Sequence, residues 1–150
     1  MRKILNDLNY DFRNFTLTDF IRWLESSNQW AFHCEPAPLP PGIFGAWLTS
    51  SHQTEYILYD AEGSAFHRTH IILHELCHWL LGHPTRSIDG NDNNVVYMTS
   101  GVDDELLAAV RELEAETLCS LILDRVVRYQ REQHRTTNHK KIRSFFNVLD

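Results

Sequence analysis

The stretch HIILHELCHWLLGH, residues 70–83, sets four histidines and a carboxylate among otherwise apolar residues. A segment this apolar belongs in a core, where an imidazole or carboxylate without a partner is costly. Any fold the chain adopts must therefore bring polar partners to these positions. At about 100° per residue on a helix, His67, His70, His74 and His78 share one stripe, with Glu75 at its flank. Ile72, Leu73, Leu76, Trp79 and Leu80 cover the remaining surface. The pattern predicts a buried helix with one polar seam, opening near Ser64 and closing at Gly82, with Pro84 forbidding continuation.

His74-Glu75-Leu76-Cys77-His78 reads H-E-x-x-H. Histidines at i and i+4 lie one helical turn apart, so both Nε2 atoms reach a single zinc ion at about 2.0–2.1 Å. The glutamate after the first histidine flanks the open position, where it can take a proton from water. Catalytic zinc usually has a third protein ligand. His83 is the first candidate, but the extended pattern H-E-x-x-H-x-x-G-x-x-H places Gly and His where this chain has Leu81 and Pro84. His83 instead reads as a helix-ending residue bonding nearby carbonyls.

The third ligand is expected from the stretch ELLAAVRELEAETLCSLIL. On its wheel Glu105, Ala108, Ala109, Glu112, Ala115, Glu116 and Cys119 form one small, acidic face, which permits close approach of a partner helix. Glu112 is placed to ligate, and Glu116, one turn on, to accept the free N–H of a ligating histidine and fix its tautomer. Glu114 points about 160° away and is set aside.

The rest of the chain supplies a frame. With 150 residues, 43% hydrophobic and 23% charged, it suits one globular domain over residues 1–150. TLTDFIRWLESSNQ reads as a helix capped by Thr18, and WAFHC, IFGAWLTS and EYILYD read as strands, the last two as a hairpin. EPAPLPPG is a rigid turn, residues 84–102 a loop able to cover a cleft, and VVYMTS a short strand. A long helix spans 103 to about 131, with Asp103, Asp104 and Glu105 at its positive end, and KKIRSFFNVL reads as a short closing helix. The order predicts an α+β fold: a small, mostly antiparallel sheet packed on the H-E-x-x-H helix and a second long helix.

No apolar run is long enough to span a bilayer. The N-terminus lacks a signal-peptide pattern, and three cysteines, far apart and odd in number, argue against a disulfide framework. A cytoplasmic setting without membrane contact is expected. The net charge of −6 divides into +5 over residues 125–150 and −11 over the first 124.

HIILHELCHWLLGH followed by ELEAETLCSLIL resembles the ImmA/IrrE family of gluzincin-like zinc metallopeptidases, over about residues 40–125. That family carries H-E-x-G-H and then an E-x-x-A-N/D-x-F-A-x-x-L-L type helix. Here Cys77 stands for the usual Gly, Glu116 for Asn or Asp, and Leu118-Cys119 for Phe-Ala. The resemblance implies a zincin-like fold, one Zn2+ on His74, His78 and Glu112, and Glu75 as catalytic base. It also implies a regulatory endopeptidase that cleaves a helix-turn-helix repressor or antitoxin-like transcription regulator encoded nearby. Glu116, His70 and Tyr97 are candidates to support the ligands, and Tyr97, His70, His67 and Arg111 to stabilise an oxyanion. Two other readings stand beside it. One is a catalytically silent zinc-binding regulator that sequesters its partner. The other, less favoured, is direct nucleic-acid contact through Arg128, Arg131, Lys140 and Lys141.

Overall fold

The computed structural model describes residues 1–50, 52–87 and 102–136. Its elements run α1 (Arg2–Asp7), a single 3-10 turn (Phe12–Asn14), α2 (Leu17–Asn28), β1 (Ala31–Pro36), β2 (Gly45–Ser50), β3 (Thr54–Tyr59), α3 (Ala65–Leu80), β4 (Arg86–Ser87) and α4 (Val102–Thr136). The chain is α+β, as expected. The VVYMTS strand, most of the 84–102 loop, the KKIRSFFNVL helix, Lys140 and Lys141 lie outside the described residues.

Local chemistry explains where the helices begin and end. Thr16, not Thr18, caps α2: extended at φ −127°, ψ 149°, it accepts the Asp19 amide through its side chain. The Thr16 hydroxyl in turn donates to the Asp19 carboxylate at 2.7 Å, a local pairing that joins cap and first turn. Ser64 caps α3 by accepting the His67 amide. At the other end Gly82 takes φ +66°, a conformation that favours glycine, and α3 stops.

The sheet departs from the expected pairing. Its order is β1-β3-β2-β4. Only β2 and β3 are antiparallel, whereas β1 runs parallel to β3 and β4 parallel to β2. The sheet is therefore mixed, not mostly antiparallel. The prolines at 36, 38, 40 and 41 prevent a tight hairpin after β1. The chain instead travels past the width of one strand before β2 begins, and β3 returns into the gap. Pro36 pairs with Tyr59 at the end of the edge strand β1, where a missing N–H is tolerated.

One face of the sheet packs on α3, and α3 packs on α4. Phe20, Leu24, Ile57, Ile72, Leu73, Leu76, Leu118, Ile122 and Val126 form the fully buried centre. Strand alternation puts Glu55 on the same inward face as Ile57, and it is buried with 2% exposure. Its carboxylate accepts from Trp47 Nε1 at 2.5 Å and Thr49 Oγ1 at 3.2 Å, and also from Trp79 on α3. Burial still raises its pKa, against the pull of those bonds. The far half of α4 is braced by the N-terminal elements. Arg125 donates to Asn6 Oδ1 at 2.6 Å and lies over the Phe12 ring, 5.7 Å from its centre.

Candidate metal centre

The polar seam of α3 faces α4 across a narrow gap. Ala115 and Cys119 are fully buried at that contact, so the two helices meet closely, as the small-residue pattern anticipates. Ala109, placed on the same face by the wheel, is exposed. Glu112 extends from α4 over the histidines: its carboxylate oxygens lie 3.2 Å from His74 Nε2 and 3.4 Å from His78 Nε2. The two Nε2 atoms are 3.1 Å apart.

These spacings fit a metal ion. Ligands about 2.0–2.1 Å from a tetrahedral centre stand roughly 3.3 Å from one another, the separation this triad has. His74, His78 and Glu112 are thus a His–His–Glu group within metal-binding distance. Burial differs within it: the side chains of His74 and His78 are 18% and 12% exposed, that of Glu112 64%. The imidazoles form the floor and the carboxylate the rim.

Hydrogen bonds from His74 and His78 hold the Glu112 carboxyl well below the usual carboxylate range. Burial opposes charge on His74, but the Glu112 hydrogen bond and the charges of Glu75 and Glu112 outweigh it, and its pKa rises.

Glu75 lies under β2. A Cβ added at Gly45 would stand 2.7 Å from Glu75 Oε1 and 2.6 Å from Ile71 Cγ2; only glycine leaves room for the carboxylate. Burial is the main effect on Glu75 and raises its pKa, against the opposing charges of His74 and His78. It lines a cleft of about 660 Å3 between the β2 segment, the α3 seam and α4, within the size range of ligand sites. His67, His70, Arg111 and Glu116 also line this cleft.

Glu116 stands where the α4 pattern puts it. Its Oε2 is 3.4 Å from His74 Nδ1 and 3.2 Å from His70 Nε2, so one carboxylate serves two rings. Tyr97 lies outside the described residues. Two residues set aside on the sequence belong to this cluster. His83 does not simply end the helix: its Nδ1 is 2.9 Å from His78 Nδ1, and its Nε2 is 3.2 Å from Glu114 Oε2. Burial lowers the His83 pKa despite the Glu114 hydrogen bond. The signal in the sequence was Gly82. A left-handed residue after a helix folds the next side chain back onto the last turn, and on a single-helix wheel that contact is invisible.

Comparisons with models of known protein families, with curated proteins and with solved structures find no significant match.

Proposed function

We propose that the protein is a zinc-dependent endopeptidase of the zincin type, acting on a helix-turn-helix repressor or antitoxin-like regulator encoded nearby. The observation that carries the chemistry is the triad of donor atoms 3.1–3.4 Å apart, with the Glu75 carboxylate beside it in a cleft. The partner rests on the family resemblance.

His74, His78 and Glu112 would hold the ion, and Glu116 would receive the His74 Nδ1–H. When bound, zinc supplies Lewis acidity, which acidifies water and polarises a carbonyl oxygen. Glu75 takes the proton of the attacking water and passes it to the leaving amine. Its burial supports this role, because a carboxylate with a raised pKa is a better base near neutral pH.

The start of β2, ahead of its pairing with β4, suits an extended peptide. Phe44 O accepts the Asp60 amide, so the alternation of an antiparallel ladder turns the peptide groups of Gly45 and Trp47 away from β3. β4 pairs only from Leu48 onward, although Thr85 Oγ1 donates to Trp47 O at 2.6 Å. The Gly45 N–H and C=O and the Trp47 N–H are therefore directed outward at the cleft, placed for strand addition by substrate. Arg111, His67 and His70 line the cleft and can donate to an oxyanion.

The test is cleavage of the neighbouring gene's product by the zinc-loaded chain. Wild type is expected to cut it. Glu75→Gln should keep zinc and lose at least ~100-fold in rate, the scale of lost general-base catalysis. If Glu75→Gln still regulates the partner, the protein works by sequestration and the protease reading is wrong.

A further inference from the structure

His74 and His78 reach the donor cluster through the same atom, Nε2, but are supported differently behind it. Behind His74, the Glu116 carboxylate lies 3.4 Å from Nδ1. Behind His78 no carboxylate among the described residues is in contact; its Nδ1 faces another imidazole, His83 Nδ1, at 2.9 Å. The ring centres are 5.0 Å apart and the planes inclined at 67°. Two ring nitrogens at that distance share one proton-bearing partner: one donates and the other accepts.

The far end of the chain of contacts decides which. Glu114 Oε2 lies 3.2 Å from His83 Nε2, and an ionised carboxylate only accepts. His83 therefore donates from Nε2, which leaves a lone pair on its Nδ1. His78 must then donate from Nδ1, so Nε2, the atom that faces His74 Nε2 and Glu112, is the one that gives up its proton and offers a lone pair when a metal ion binds. One carboxylate on α4 thus determines the protonation pattern of both rings.

The backbone holds this arrangement. With Gly82 at φ +66°, the His83 N–H donates to His78 O at 3.1 Å and the Gly82 N–H to Trp79 O at 3.0 Å. This is a Schellman-type closure, and it returns the His83 ring onto His78. The His83 side chain is only 9% exposed, so water does not readily replace it as the acceptor.

We propose that Glu114 and His83 are a positioning pair for His78, fixing its tautomer and ring orientation so that Nε2 is presented to the metal. This rests on the zinc reading above. Partners behind a metal-binding histidine typically change affinity about 10–100-fold when removed, and that is the expected size here.

The experiment measures zinc affinity of the full chain by competition with a chromophoric chelator, alongside imidazole 15N spectra. His83→Phe and Glu114→Ala should each weaken zinc binding about 10–100-fold, and the double variant no more than His83→Phe alone. His83→Gln, whose side-chain carbonyl can accept from His78 Nδ1–H, should recover most of the loss. The spectra should show His78 protonated at Nδ1 and His83 at Nε2, a signature that a purely structural role would not require. Glu114→Ala alters a half-exposed helix position, so it carries the test if His83→Phe does not fold. A wild type that binds zinc, with variants of equal affinity or with the opposite His78 tautomer, overturns the positioning role alone. A wild type that binds no zinc overturns the metal reading beneath it.

Discussion

Glu55 owes its place to its own strand and its partners to other elements. Strand alternation puts it inward with Ile57. The donors that satisfy it come from β2 and from Trp79 on α3, and a single strand does not reveal them. Removing the carboxylate leaves part-buried indole N–H groups without this acceptor. Glu55→Ala should therefore cost roughly 2–3 kcal/mol, the scale of a hydrogen bond to a charged group. A denaturant titration checks this; an unchanged midpoint would remove Glu55 from the structural account.

Cys34 makes a prediction of definite sign at the same scale. Burial, reinforced by Glu25, pushes its thiol from an ordinary 9.0 up to about 12. The folded thiol stays protonated where the unfolded one has ionised, so the unfolded state binds fewer protons in that window. Stability is then fully present below pH 9.0 and lost as pH rises toward about 12. The difference in stability between wild type and Cys34→Ala, followed from pH 8 to 11, should shift steadily against the wild type across ~9–11. A pH-independent difference would mean the thiol is not held neutral.

Among the elements, α3 was the most legible. Ser64 opens it, Gly82 closes it, and the His-rich stripe becomes a seam facing a second helix. The small face of α4 also brought Glu112 and Glu116 to the right side. β2 was less legible, because its site role depends on a neighbour: Gly45 lies over Ile71 and Glu75 with no space for a methyl group. The Glu75 oxygen can swing aside, but a branched Ile71 methyl in a packed interface cannot move as freely. Gly45→Ala should cost about 1–3 kcal/mol, as overpacking does, and should displace Glu75. Peptidase activity is expected to fall more steeply than stability. A variant with unchanged melting temperature and activity would show that the approach of β2 to α3 is not confining the base.

Across the whole molecule, the class was readable and the strand order was not. Helix seams and caps are local patterns, whereas the parallel pairing of β1 with β3 is decided by where the proline-rich segment carries the chain. The same division holds at the site. The grouping of His74, His78 and Glu112 follows from i,i+4 spacing and a helix face, but His83 and Glu114 meet only because a turn after α3 and the outer side of α4 converge. Among the described residues no helix is long and apolar enough to cross a membrane. The N-terminal elements, gripping α4 through Arg125, lie on its half remote from Glu112.

The proposed activity requires that the triad be a metal centre. The decisive measurement is zinc stoichiometry and affinity of the purified full chain beside Glu112→Ala. One zinc per chain is expected, with affinity reduced more than ~100-fold in the variant, beyond the range for supporting residues. Absence of stoichiometric zinc in the wild type, or equal affinity in Glu112→Ala, would contradict the proposed ligand set.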